Sequence, residues 1–137
     1  MKVRDIMSVR VCCVSPDTTL EQASRLMSDS DIGVAPVCDA SGIVGMVTDR
    51  DIVTRGLSKG YGPETKIRNV MSSGVVSVSP DADIGEAARL MSDCQVRRLP
   101  VLSGREIVGI VSVGDLARTG KLDAEVARAE TGIADFF

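Results

Sequence analysis

Histidine and tryptophan are absent from this chain of 137 residues, and one tyrosine and two phenylalanines are its only aromatic side chains. Without histidine the chain lacks the commonest general base near neutral pH and the commonest neutral metal ligand. Acid–base chemistry would fall to carboxylates, lysines or thiolates, so the expectation is a protein that is not an enzyme. The shortage of rings leaves no platform for stacking bases and no cage for a quaternary ammonium, and the core must be built from Val, Ile, Leu, Met and Ala. With a net charge of −3 and no long basic stretch, nonspecific nucleic-acid binding is not expected, because that needs several cations tracking phosphates. Apolar runs such as Ile43 to Val47 are too short for a membrane span, and the start lacks the charged, apolar and small-residue order of a signal peptide. A cytoplasmic protein is therefore expected. The 44% of hydrophobic residues suffices for one compact core.

What the chain does have is an internal repeat. A shift of 64 positions lays Val11 to Asp17 (VCCVSPD) on Val75 to Asp81 (VVSVSPD), and Arg25 to Asp29 (RLMSD) on Arg89 to Asp93, without a gap. The same shift carries Pro36 and Val37 onto Pro100 and Val101, and Asp51 onto Asp115. The predicted organisation is a first repeat over 1–60, a linker over 61–66, a second repeat over 67–120 and a helical tail over 121–137. A unit this short has little core of its own, so the two copies are expected to bury apolar faces on each other about a pseudo-two-fold axis, packed through their sheets.

Each repeat reads as strand, helix, strand, strand, helix, an α/β (α+β) unit. A short strand (Val11 to Val14; Val75 to Val78) ends in Ser-Pro-Asp, where proline stops the ladder and Asp17 or Asp81 is placed to cap a helix. That helix presents Leu20, Ala23, Leu26 and Met27 in one copy and Ile84, Ala87, Leu90 and Met91 in the other, spaced for one buried face. Two strands follow, Val34 to Cys38 and Ile43 to Val47, then Leu99 to Leu102 and Ile107 to Val111, each pair joined by turn residues. A last helix is expected from Thr48 or Ser112 to Gly56 or Gly120, where glycine suits a left-handed C-terminal position.

These residues resemble a tandem pair of CBS domains, the regulatory unit also called a Bateman module. The resemblance rests on DIM at Asp5 to Met7 and NVM at Asn69 to Met71, the VSPD strand ends, GVAPV at Gly33 to Val37, RRLPV at Arg97 to Val101, and GMVTDRD and GIVSVGD ending at Asp51 and Asp115. No single piece is specific; the full order occurs twice over about residues 1 to 120. The Gly45 to Leu57 stretch further resembles stand-alone bacterial CBS proteins of the hypoxic-response and signal-transduction type.

The resemblance implies a regulatory module that senses AMP, ADP or ATP in a cleft between the repeats and signals by conformational change, with no cofactor required. S-adenosylmethionine is also compatible, since an acidic residue that holds a ribose would serve it equally. Carried onto this chain, the ligand contacts fall on Thr48 and Asp51 in one site and Ser112 and Asp115 in the other. In Gly-x-x-Thr/Ser-x-x-Asp, the glycine lets a ligand approach the backbone, the hydroxyl sits where a helix begins, and the Asp can accept both ribose hydroxyls. The same pattern is a helix capping box in outline, and both readings stand at this level. Arg97 and Arg98 replace Gly33 and Val34 of the first copy. Adjacent arginines suit phosphate, or else pair with acidic neighbours, so the Ser112/Asp115 site is expected to favour phosphate. The family pattern further places Ser15, Ile32 and Gly33 around that site, and Ser79, Val96 and Met46 around the other.

Four cysteines form no Cys-x-x-Cys pair, and without histidine no metal site is expected. Reduced, buried thiols are one reading; a redox switch joining Cys13 and Cys38 at matching strand ends is the other. The segment Leu57 to Pro63 has loop chemistry and suggests a hinge. The tail spaces Leu122, Val126, Ala129 and Ile133 as one helical face, and the family commonly forms disc-like dimers, so a homodimer is expected, together with an unidentified protein partner. The alternative to nucleotide sensing is a ligand-free interaction module or a thiol-redox sensor on the same fold.

Overall fold

The computed structural model describes residues 1–121, so the tail stripe from Leu122 to Ile133 lies outside the described residues. The described chain forms two compact units, Cys12–Val75 and Met1–Val11 with residues 76–121.

In the Cys12–Val75 unit, helix α1 (Leu20–Ser30) buries Leu20, Ala23 and Met27, with Leu26 half-buried. Its cap is Thr19, two residues beyond the expected Asp17: the Thr19 hydroxyl accepts from the Gln22 N–H at 3.1 Å, and the Gln22 side-chain Oε1 accepts from the Thr19 N–H at 3.0 Å. This reciprocal box satisfies two donors that the first turn leaves open. The Asp17 carboxylate is taken instead by Arg68 and, at 3.4 Å, by Lys66.

Strands β1 (Val34–Asp39) and β2 (Gly42–Thr48) pair antiparallel, with a register shift between Val37 and Cys38. The strand expected over Val11 to Val14 contracts to a single parallel bridge between Val14 and Val37. Proline at position 16 removes the next donor and ends the ladder. Helix α2 (Asp49–Asp51) runs on as a π-turn (Ile52–Gly56) and a 3-10 turn (Leu57–Lys59). It ends at Gly60, with φ +80°, rather than at Gly56, which has negative φ and is buried. Gly56 matters for contact, since a Cβ there would lie 3.1 Å from Leu20 Cδ1. The expected hinge, Leu57 to Pro63, lies inside this unit, where the Pro63 carbonyl accepts from the Glu21 N–H at 3.1 Å.

The other unit repeats this order with α3 (Ile84–Cys94), β3 (Arg98–Ser103), β4 (Glu106–Ser112) and α4 (Val113–Ala117). Asp83, not Asp81, caps α3, accepting from the Gly85 N–H at 2.8 Å. Ile84, Ala87, Ala88 and Met91 are buried, and Leu90 packs partly buried against the same cluster. Asp81 pairs with Arg4 and, at 3.8 Å, with Lys2. Val78 makes the single bridge to Val101.

The element that completes each unit comes from beyond the expected repeat boundary. In one unit the Ile67–Asn69 turn buries Ile67, and Ser72 exchanges two 2.9 Å backbone hydrogen bonds with Met46 of β2. In the other the Val3–Asp5 turn buries Val3, and Ser8 exchanges bonds of 2.8 and 2.9 Å with Ile110 of β4. The leading segment of the chain therefore serves the later unit, and the segment after Pro63 serves the earlier one. The chain passes between them at Val11/Cys12 and Val75/Val76.

This pairing accounts for the repeated glycines. A Cβ on Gly45 would stand 2.6 Å from the Ser72 carbonyl oxygen, and one on Gly109 would stand 2.9 Å from that of Ser8 and 2.7 Å from Met7 Sδ. At both glycines a close approach is made by the chain's own backbone.

Candidate functional site

Both Thr/Ser-x-x-Asp motifs form at the junction of a hairpin strand with a helix. Thr48 ends β2 opposite Val34, and its hydroxyl accepts from the Asp51 N–H at 3.0 Å while Asp51 Oδ2 accepts from the Thr48 N–H at 2.9 Å. Ser112 ends β4 opposite Arg98, and the matching bonds with Asp115 are 3.1 and 2.8 Å. The capping reading is thus realised in both copies. Each carboxylate keeps one further oxygen for other work. Asp51 Oδ1 lies 3.7 Å from Arg55 Nε, and Asp115 Oδ1 holds Arg118. The two carboxylates are largely buried, at 16% and 14% side-chain exposure, whereas both arginines are exposed. A guanidinium at i+3 or i+4 on a short helix is legible in sequence, and these two partners were missed.

Beside Asp115 opens a cavity of about 310 Å3 lined by Met1, Ile6, Asp115, Arg118 and Thr119. Met1 and Ile6 belong to the leading segment that the sequence alone assigned to the other repeat. The residue preceding β3 is tied to the Ser112 motif through the backbone, because the Val113 N–H donates to the Arg97 carbonyl at 2.9 Å. Arg97 and Arg98 are therefore joined to the Ser112 motif, and both are exposed.

In the other unit the Asp49 N–H donates to the Gly33 carbonyl at 3.0 Å, and the Asp49 carboxylate lies over that glycine, 3.1 Å from where a Cβ would stand. Gly33 thus sits with the Thr48 motif of its own unit. Met46 lies on β2 and pairs with Ser72. Ile32 and Val96 pack partly buried against their own cores, and Ser15 and Ser79 accept from the Asp17 and Asp81 N–H groups at 3.1 Å. These four hold local structure within their units.

The cysteines sit apart from both motifs. The Cys38 thiol donates to Cys13 sulfur at 3.5 Å, Cys12, Cys13 and Cys94 are exposed, and Cys38 is half-buried. Burial, reinforced by that hydrogen bond, pushes the Cys38 thiol up to about 12. Among the described residues no group of three or more His, Cys, Asp or Glu is placed to hold a metal ion, and no helix is long and apolar enough to cross a membrane.

Two hairpins completed by exchanged segments, with a duplicated Thr/Ser-x-x-Asp corner, define a paired regulatory module, and the CBS domain family model matches residues 3–58 and 67–121. The chain belongs to the CBS domain family. Among its relatives is the CBS domain-containing protein YhcV of Bacillus subtilis, 37% identical over 132 residues, spanning 96% of this chain and 94% of that protein. Hypoxic response protein 1 of Mycobacterium tuberculosis is 42% identical over 117 residues, or 84% of this chain and 82% of the relative. A crystal structure of hypoxic response protein I with two coordinated zinc ions superposes with a TM-score of 0.79 at 41% identity, covering 86% of this chain and 98% of that one. The CBS pair of MJ0100 in complex with 5-methylthioadenosine and S-adenosyl-L-methionine has a TM-score of 0.78 and covers 88% and 95%. At 24% identity that likeness shows the fold alone.

Proposed function

We propose that this CBS pair is a sensor of adenosine nucleotides, AMP, ADP or ATP, and that Asp115 and Ser112 form its principal ligand site, with Asp51 and Thr48 forming the second. The observation that carries this reading is the cavity of about 310 Å3 at Asp115, where a largely buried carboxylate and the exposed arginine paired with it line one opening. The Asp115 carboxylate suits a ribose diol, because it can accept from two adjacent hydroxyls. Arg118, Arg97 and Arg98 suit phosphate oxygens through planar, bidentate contacts. That another protein of this fold was crystallised with two adenosine derivatives supports the ligand class, and S-adenosylmethionine stays within it. Ligand binding is read out as a population shift between conformers, limited by the difference in its affinity for them. The protein acts as a homodimer that passes the signal to a protein partner. Equilibrium dialysis with radiolabelled ATP, ADP and AMP tests the reading: retention of any one supports it, and retention of none in folded protein refutes it.

A second reading, a thiol-redox sensor, is favoured by the 3.5 Å separation of Cys13 and Cys38 sulfurs. A disulfide needs about 2.05 Å between sulfurs, a short further approach. A peroxide would oxidise the two thiols to one disulfide while its own two oxygens leave as water. Peptide mapping after mild peroxide treatment tests it: a linked Cys13–Cys38 peptide supports the switch, and two free thiols remove it.

A further inference from the structure

We infer that the two Thr/Ser-x-x-Asp corners are matched to adenosine ligands of different charge: the Ser112 corner to phosphorylated ones, and the Thr48 corner to uncharged or cationic ones. The inference rests on the nucleotide reading above and adds a selectivity to it. Its basis is an inversion of charge at equivalent backbone positions. In each unit the residue after the Thr or Ser donates its N–H to the carbonyl of the residue two before the hairpin's first buried position: Asp49 to Gly33 at 3.0 Å, and Val113 to Arg97 at 2.9 Å.

The same backbone geometry carries opposite side chains. In one unit a carboxylate, Asp49, lies over a glycine and occupies the space at 3.1 Å from its Cα substituent position. In the other the residue is Val113, 4% exposed and packed in the core, and its backbone partner is an exposed arginine followed by another. Asp115 faces Arg118 with Arg97 and Arg98 adjoining, whereas Asp51 faces Arg55 with Asp49 adjoining and Arg50 beside it. The Ser112 corner is thus net cationic and the Thr48 corner is balanced.

A phosphate entering the Thr48 corner meets the Asp49 carboxylate at close range, and a like-charge contact of this kind is an effective means of rejecting a ligand. The same phosphate at the Ser112 corner finds the exposed guanidinium groups of Arg97 and Arg98, whose planar forks match its oxygens. An uncharged adenosine is treated alike by both, because the ribose-accepting carboxylate is common to them. A sulfonium-bearing adenosine derivative is repelled by the net cationic Ser112 corner and meets no such net repulsion at the balanced Thr48 corner.

The test is an amide-resolved NMR titration of the full reduced chain at low salt, with adenosine and with AMP as separate probes. Signals of Arg97, Arg98, Ser112 and Val113 should respond to AMP at about tenfold lower concentration than to adenosine, and those of Gly33, Thr48 and Asp49 should respond to adenosine at equal or lower concentration than to AMP. Asp49→Val, and the isosteric Asp49→Asn should valine disturb the fold, should raise AMP affinity at the Gly33 signals while leaving adenosine unchanged. The same AMP-to-adenosine ratio at both corners, or a ratio unmoved by either Asp49 variant, overturns the charge assignment alone. Failure of both probes to move either set of signals overturns the nucleotide reading, and this selectivity with it.

Discussion

At the scale of the residue, Asp115 and Asp51 each do two jobs at once. One oxygen closes a capping box and the other faces an arginine, so a ligand that uses the carboxylate must share it with structure. Asp115→Ala should therefore lose nucleotide binding and also about 1 kcal/mol of stability from the lost cap, the second seen as a lower midpoint in urea unfolding. Ser112→Ala should show the stability loss with weaker effect on binding, since its hydroxyl is committed to the Asp115 N–H. The Asp17 carboxyl is held below the usual carboxylate range, first by its hydrogen bond to Arg68 and then by Lys66. Because its native pKa is depressed, its contribution is present above the ordinary carboxylate value and is lost as pH falls through the lowered one. Arg68→Ala should move the Asp17 titration midpoint upward in a carboxylate NMR titration, and added salt should shrink the difference because the pair is exposed. With its thiol pushed up to about 12, Cys38 should be alkylated far more slowly than the exposed Cys12 and Cys94 at pH 8, as mass spectrometry of iodoacetamide-treated protein would report.

At the scale of the element, the buried faces of α1 and α3 and the two hairpins were legible because periodicity and turn residues report a local pattern. Their ends were less so. Asp17 and Asp81 looked like caps by residue type, but each is bound by cations more than forty residues away in sequence, and the caps pass to Thr19 and Asp83. Proline-limited edge strands shrank to single bridges because a bridge depends on a neighbour that sequence spacing does not name. Two elements end on strained left-handed residues, Asp31 at φ 53° and Gln95 at φ 56°. Gln95→Gly should stabilise the protein by up to about 1 kcal/mol, measured by thermal unfolding, since glycine takes this conformation without a Cβ clash. Gly109→Ala and Gly45→Ala should each destabilise by about 1–3 kcal/mol, because the added methyl meets the backbone of Ser8 or Ser72 and forces the exchanged segment away.

At the scale of the whole molecule, the duplication was plain in the sequence, but the exchange of leading segments was not. The DIM and NVM signatures at positions 5 to 7 and 69 to 71 were visible, yet nothing in their spacing says which hairpin they complete. That depends on which backbone edge each reaches, and Ser8 with Ile110 and Ser72 with Met46 decide it. The consequence reaches the site, because Met1 and Ile6 line the cavity at Asp115. Removing residues 1–8 should abolish binding at Ser112/Asp115 and expose the core that Val3 fills, which a dye that binds exposed apolar surface would register. A homodimer should scatter light with twice the mass of one chain, and a monomeric mass at working concentration would remove that proposal.

The proposed nucleotide site at Asp115 is open to direct measurement. Calorimetric titration of the reduced protein with AMP, ADP and ATP, beside Asp115→Ala and Asp51→Ala, tests it most directly. Saturable heat is expected with at least one nucleotide, lost in Asp115→Ala and largely retained in Asp51→Ala. No heat from any of the three in folded protein, or heat indifferent to Asp115→Ala, would contradict it and leave the two motifs as helix caps.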